Sequence, residues 1–577
     1  MNKHAARISA LSLSMLLFVG CATTSVAPTS SPGQQAAIAL LEQGKPREAA
    51  QQLEAEAALA RGSSRTALLA DAAFAWHEAG DDTRARALMA QVQPRQLSGA
   101  TRQRFGLLQA ELALTDKQPA AALQALTGNA GDNPLPAPLQ ARWHLARAQA
   151  MEATGDAFNA AVERARAGVL LAGAARADNQ RAITRLLAGL DDATLSSRAA
   201  ALPVGDPLYN YAGRALIGRG LPLPRPFDRD ANAWQLDTSK RPPADVDGYR
   251  PPVKMAVLLP LTGNLATAAA PVRDGLLAGY YGEGRRRPDI SFIDTKGTAG
   301  GANAAYDQAV ASGADFVVGP LGRDEVDALF HRDQLQVPLL ALNRGKDTPP
   351  AGSAGFSLAP EDDGLMAAEY LLGRERGNVL VIASNDDAGR RASAAFKERF
   401  SERGGKVAAT INVGGAPGNI SPQLQQVQGA DAVFLAVKGD QARALAPQLA
   451  LSGLAAVSRV GTSQLTNNTG KAEEDIALDG IIYPSEAWTT RGVSGLPSAA
   501  SVASTLPTAR GGAARLFAFG FDAWKITAYL EKLATSTSGG LSGATGTLHL
   551  DGFGNVLRTP AWSTFSSGRP MPIGDGR

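Results

Sequence analysis

The sequence predicts a multidomain chain in two parts: an all-α array of repeated helix hairpins, then an α/β body with two parallel-sheet lobes. Three observations carry this. Residues 35–220 are rich in Ala, Leu and Arg, with apolar residues at helical spacing and turn residues at a steady interval. Residues 221–252 hold Pro222, Pro224, Pro226, Pro242, Pro243, Pro251 and Pro252, a spacing that forbids a continuous helix and favours a stiff connector. From Lys254 onward, short apolar runs alternate with helical patterns, as βαβ units require. A chain of 577 residues is also too long for one core.

The first element is a leader. Lys3, His4 and Arg7 make a basic start, Ile8 to Val19 is an apolar run, and Gly20-Cys21 follows. These are the three regions of a secretory signal over residues 1–20. Cys21 is the only cysteine of the chain. Phe18-Val19-Gly20-Cys21 resembles a bacterial lipobox, in which the thiol is lipidated and the cysteine becomes the mature N-terminus; an ordinary signal peptide with a chance Cys is the alternative. Each buried CH₂ of an acyl chain contributes about 0.8 kcal/mol, so several chains anchor firmly. Ala22 rather than Asp follows, which in the bacterial sorting pattern directs a lipoprotein to the outer membrane. Residues 21–34 then read as a polar, Pro-containing tether.

The helical region shows a repeat. Turn residues Gly44, Gly80, Lys117 and Gly155 stand 36, 37 and 38 residues apart, each between two helical segments. That is close to the tetratricopeptide period of about 34 residues. Such a hairpin buries its apolar faces only against its neighbours. Helical patterns at Asn179 to Leu190, Ala193 to Ala201 and Asp206 to Arg219 close the array.

In the α/β body, strands are expected at 255–259, 290–294, 315–318, 339–342, 379–383, 408–413, 432–437, 457–460 and 480–483. The first four and the next five form separate lobes, with Gly355 to Pro360 as the first crossing between them. Helices are expected between the strands, the longest over 513–534. Residues 545–550 and 555–557 read as a terminal hairpin, and 486–512, rich in Ser, Gly, Ala and Pro, as a long loop.

Ligands of open parallel sheets lie beyond the carboxyl ends of the strands. Those ends carry Thr262, Gly263, Gly319, Asn343, Arg344, Ser384, Asn385, Thr462 and Ser463. These groups suit either a small polar ligand or a closed seam between lobes. Trp488 and Arg491 open the long loop and are candidate partner contacts, with a tolerated insertion as the equal alternative. No catalytic residue is expected. The five histidines show no metal-ligand spacing, no nucleophile elbow or phosphate loop follows a strand, and no Ser has Lys three residues on. No metal or cofactor is expected. Adjacent acids at Asp386-Asp387 and Glu361-Asp362-Asp363 read as helix-cap and dipole partners. A net charge of +3 gives no support to nucleic-acid binding.

Val257-Leu-Leu-Pro-Leu-Thr-Gly263, Val317-Val-Gly-Pro-Leu321, Leu340-Ala-Leu-Asn343, Phe356-Ser-Leu-Ala-Pro-Glu-Asp362, Phe519-Gly-Phe-Asp-Ala523 and Gly543-Ala-Thr-Gly-Thr-Leu548 together resemble the LpoA family of outer-membrane lipoproteins. The resemblance implies a tetratricopeptide-like domain at 35–220, a Pro-rich linker at 221–252 and a type I periplasmic-binding-protein-like domain at 253–577. It implies a monomeric, non-catalytic regulator of peptidoglycan synthesis. This regulator stimulates the transpeptidase of a class A penicillin-binding protein from the periplasmic side of the outer membrane. A lipid-anchored binding protein for amino acids or muropeptides is the alternative, and a peptidoglycan hydrolase the third reading.

Overall fold

The computed structural model describes residues 31–127, 135–229, 241–332, 334–466, 471–535 and 540–574; Cys21 and the leader lie outside them. The chain forms two compact units that divide between Ala150 and Met151. The first holds α1 (Pro32–Glu42), α2 (Pro46–Leu59), α3 (Gly62–Glu78), α4 (Asp82–Met89), α5 (Gly99–Thr115), α6 (Pro119–Ala125) and most of α7 (Ala137–Ala153). The first helix starts at Pro32, inside the stretch 21–34 expected as a tether, of which residues 21–30 lie outside those described. Proline is tolerated at N1 because its missing N–H has no helical partner, and Ser31 Oγ accepts from Gln34 N at 3.0 Å.

The hairpin turns repeat one local device. Gly44, Gly80, Lys117 and Gly155 all have positive φ, at 75°, 80°, 57° and 84°. At each, the next N–H reaches back five residues: Lys45 N to Leu40 O, Asp81 N to Trp76 O, Gln118 N to Ala113 O and Asp156 N to Met151 O, all at 2.8–2.9 Å. This left-handed C-cap satisfies carbonyls that the helix end would otherwise strand. Between the helices of the first unit, Ala49, Ala50, Ala72, Ala73, Ala110 and Ala122 are fully buried, so the helices approach closely. One charged pair sits in that core. Asp71 in α3 accepts from Arg104 Nε and Nη2 in α5 at 2.9 and 3.0 Å, from Gln34 in α1 at 2.7 Å, and from Thr101 at 3.1 Å.

In the second unit, α8 (Ala157–Leu170), α9 (Gly173–Ala188), α10 (Asp192–Ala201) and α11 (Tyr209–Gly218) share a core of their own through Phe158, Ile183, Leu195, Leu208 and Leu216. Compactness thus divides the chain inside the helical array rather than at 221–252. The described parts of that segment are strapped down rather than free. Phe227 and Tyr249 are buried, Arg241 pairs with Asp315 at 2.7 Å, and Arg250 pairs with Glu531 at 2.7 Å.

The first lobe starts with β1 (Lys254–Leu259), α12 (Ala266–Gly282), β2 (Asp289–Asp294), α13 (Ala299–Ala311), β3 (Phe316–Val318), α14 (Arg323–Phe330), β4 (Leu339–Ala341) and β5 (Ala354–Phe356). The second holds α15 (Pro360–Leu372), β6 (Asn378–Ser384), α16 (Asp387–Glu402), β7 (Lys406–Val413), α17 (Ser421–Leu424), β8 (Ala432–Ala436), α18 (Gly439–Leu451), β9 (Ser458–Gly461), α19 (Ala472–Asp475) and β10 (Ile481–Ser485). The chain then runs through α20 (Ala487–Thr490), α21 (Ala499–Thr505), α22 (Ala513–Thr535), β11 (Leu541–Ser542), β12 (Thr547–Leu550), β13 (Asn555–Thr559), β14 (Ala561–Ser566) and β15 (Arg569–Ile573). The sheet orders are β11-β12-β13-β5-β4-β3-β1-β2 and β15-β14-β10-β9-β8-β6-β7. Each contains the doubly wound order 2-1-3-4-5, with a switch point between its first and third strands.

The apolar runs follow from burial on both faces. Met255, Val257 and Leu259 face one core of the first lobe, and Ala256 and Leu258 the other. Leu380 and Ile382 against Val379 and Val381 repeat this in the second.

Three expectations change. The stretch at 355–360 is not all crossing: β5 pairs with β4 and β13 first, and the chain crosses at 357–359. The hairpin of β12 and β13 is not terminal. After Pro560 the chain returns to the second lobe as β14 and β15, which the sequence hid behind Pro570 and Pro572; an edge strand tolerates proline because its outer N–H groups need no partner. The stretch 486–512 is no open loop. It carries α20 and α21, and Trp488, Val502 and Ala509 bury against Phe517 and Phe521 of α22.

Candidate functional site

The predicted strand-end residues lie at or just past the ends of β1, β3 and β4 in the first lobe and of β6 and β9 in the second. On the first lobe, Asp294 at the end of β2 holds the loop after β1. It accepts from Leu261 N at 2.9 Å, Lys296 N at 2.8 Å and Thr262 Oγ1 at 2.6 Å. Thr262 and Gly263 remain exposed, and Gly263 turns the chain at φ 83°. Gly319 is a packing residue: a Cβ there would lie 2.0 Å from Leu258 O. Asn343 donates to Leu321 O at 2.8 Å, and Arg344 pairs with Asp362 of the other lobe at 3.0 Å.

On the second lobe, Ser384 and Thr462 are buried while Asn385 is exposed. Ser384 Oγ accepts from Gln441 Nε2 at 3.2 Å. Ser463 gives both its N–H and its hydroxyl to Asp363 Oδ2. Ser384 and Thr462 line one cavity with Asp363, Asp386, Gly389 and Lys438 at the β6/β8 switch point. Its volume is about 10 Å³, room for a single water. Small-molecule sites usually measure roughly 300–1,000 Å³. Thr262, Asn343, Arg344, Ser384 and Ser463 are each bonded to another group of the protein, while Asn385 is exposed. A larger hollow of about 490 Å³ lies elsewhere in the unit, lined by Pro226, Phe227, Leu533, Leu541, His549 and neighbours; sequence reading had no signal for it.

The acids at the start of α15 do more than stabilise a helix end. Glu361 takes Arg391 bidentately at 2.7 and 2.8 Å, Asp362 takes Arg344, and Asp363 faces Ser463, Arg515 and Arg558. Asp386 does cap α16, accepting from Gly389 N at 2.8 Å. Neither candidate contact residue of the 486–512 stretch stands on a free loop. Trp488 is 1% exposed, stacks on Phe517 at 5.1 Å and donates to Pro497 O at 2.8 Å, so it anchors the core. Arg491 is exposed and donates to Ile573 O at 2.7 Å.

One cluster of metal-ligand types arises in the first unit, missed because the sequence search looked for paired histidines. His77, Glu78 and Glu111 bring ligand atoms within 4.8 Å of one another. A cation already stands there: Arg142 Nη2 lies 2.8 Å from both Glu78 and Glu111. His77 joins through Glu111 at 3.2 Å and Asp82 at 2.6 Å. The bond to Glu111 raises the His77 pKa above 6.5, against its burial. Burial pushes Glu111 up, but the bonds from His77 and Arg142 outweigh it and leave it below 4.5. A raised histidine contributes stability in full below its unfolded pKa and loses it as pH rises through the folded one. The stability difference between the wild type and His77→Gln is therefore expected to be largest near pH 6 and to shrink towards pH 8.5. Thermal melts at several pH values read this.

In chain order, helix hairpins followed by two doubly wound parallel-sheet lobes define a helical-repeat array joined to a periplasmic-binding-protein-like body. The chain matches the family described as LppC putative lipoprotein over residues 43–201, 249–430 and 414–568, and it belongs to that family. Among curated relatives, the penicillin-binding protein activator LpoA of Photobacterium profundum is 27% identical over 364 residues, covering 56% of this chain and 57% of the relative. The protein of that name from Vibrio antiquarius is 26% identical over 350 residues, covering 54% and 57%. The chain thus spans little more than half the length of these relatives. LpoA of Haemophilus influenzae shares the fold: TM-score 0.54 at 18% identity, over 95% of this chain and 99% of that one.

Proposed function

We propose that this chain is a non-catalytic, lipid-anchored regulator that binds a class A penicillin-binding protein and stimulates its transpeptidase. The observation that carries the reading is kinship: the relatives that match over more than half of this chain are named penicillin-binding protein activators. The second lobe agrees with it: the cavity at its switch point, about 10 Å³, is too small for an amino acid or a muropeptide. Lipidation of Cys21 places the protein on the periplasmic side of the outer membrane, as a monomer.

The test is reconstitution. The soluble chain from Ala22 onward, added to a purified class A synthase with lipid II, is expected to raise the fraction of cross-linked peptides. No change with every class A synthase of the same cell ends the proposal. In the same strain, Cys21→Ala is expected to move the protein from the membrane to the soluble periplasmic fraction.

A further inference from the structure

Four charged side chains gather where the chain passes between the lobes. Asp363 lies in the first turn of α15, just after the crossing at 357–359. Glu486 directly follows β10 at the second passage, and Arg558 in β13 stands two residues before Pro560, at the third. Arg515 comes from α22, which packs on α12 of the first lobe. Arg558 lies 3.6 Å from Asp363, Arg515 lies 4.0 Å from Asp363, and Arg515 lies 3.2 Å from Glu486. Asp363, Glu486 and Arg558 have side chains no more than 5% exposed, and Arg515 17%.

Two carboxylates meet two guanidinium groups, so the group is neutral as a whole. Its bonding is incomplete. Asp363 Oδ1, Glu486 Oε1, Arg515 Nε and Nη2, and Arg558 Nη2 are buried without a hydrogen bond. The attraction between lobes here is charge at short range, not a set of well-formed hydrogen bonds. A charge withdrawn from water costs several kcal/mol unless a counter-charge stands beside it. The passage can therefore close over these groups only while their sum is zero, and opening would hydrate the atoms now left short.

We propose that Asp363, Glu486, Arg515 and Arg558 form an electrostatic latch that sets the angle between the lobes and keeps them closed with nothing bound in the seam. Arg344 and Asp362, paired across the same seam at 3.0 Å, act in the same direction. The latch needs no ligand and is independent of which partner the protein binds.

The test measures the angle directly. Spin labels go on Asp324→Cys and Asp440→Cys, exposed positions at the starts of α14 and α18, in the full chain with its one native thiol removed as Cys21→Ala. Electron–electron distance measurement is expected to give one short, narrow distance that added L-leucine or L-glutamate leaves unchanged. Asp363→Asn leaves a net positive charge and Arg558→Met a net negative one, and each is expected to lengthen and broaden the distance. The double variant is neutral again, with Arg515 on Glu486, and is expected to return to the short distance. A wild type that closes only on adding an amino acid overturns the latch, as do single variants that keep the wild-type distance or a double variant as open as the singles. Where a single variant does not fold, the double decides: folded and closed supports the latch, unfolded overturns it.

Discussion

Replacing Arg104 by Met is expected to lower the melting midpoint of the helical unit by roughly 10 °C. The cause is Asp71. It is fully buried in α3, and both its oxygens are held by the Arg104 guanidinium. Met fills much of the same volume, so packing changes little. What changes is that a carboxylate is left inside a core of Ala, Leu and Phe with only Gln34 and Thr101 to bond it. Removing one partner of a buried ion pair costs about 3–5 kcal/mol, because the other charge stays unpaired. For a unit of this size each kcal/mol moves the midpoint by roughly 2–4 °C. The double variant Arg104→Met with Asp71→Leu removes both charges and is expected to recover most of the loss. Circular dichroism melts of the wild type and the two variants decide the point. Equal losses in the single and the double would mean the cost lies in packing rather than in charge.

The same pair explains why some of this molecule was legible and some was not. Patterns written in consecutive residues survive reading. Met255 to Leu259 is apolar at every position because the sheet is covered on both faces, and the switch-point loops follow directly. Gly44, Gly80, Lys117 and Gly155 mark the hairpins because a left-handed C-cap favours residues that tolerate positive φ. Asp71 with Arg104, and Asp363 with Arg558, join residues far apart in sequence, and nothing local about either partner announces the other. Trp488 misled for a related reason: a stretch full of Ser, Gly and Pro reads as loop, yet it pins one large side chain and two short helices onto α22. The strand-end residues lie at or just past the ends of β1, β3, β4, β6 and β9, as the apolar runs require. Whether they meet a ligand or one another is set by the gap between lobes, a distance no single strand encodes.

Substituting Ala for Gly520 is expected to destabilise the first lobe by about 2 kcal/mol, although Ala is the better helix former. Gly520 lies in α22 where it crosses α12, and a Cβ there would lie 2.0 Å from Val272 O and 2.7 Å from Val272 C. The partner helix meets the same limit: a Cβ on Gly275 would lie 1.9 Å from Phe517 O. Both obstacles are backbone, so no side chain can rotate away, and the two helices must part along their contact. Around that contact sit Val272, Leu276, Phe519, Ala523 and Trp524, all buried in the core that covers β1 and β3. Intrinsic propensity favours Ala by about 1 kcal/mol in a helix interior. Overpacking a close crossing costs about 1–3 kcal/mol and occasionally more, because close-packed neighbours cannot absorb the volume. The clash is therefore expected to win. Gly300 supplies the control, since it is an exposed helical glycine with no atom within 4 Å of its would-be Cβ. Gly300→Ala is expected to leave the calorimetric transition of the α/β body unchanged or slightly raised, while Gly520→Ala lowers it. An unchanged midpoint for Gly520→Ala would show that the helices have slack at this crossing, and that Gly520 is there for a reason other than close approach.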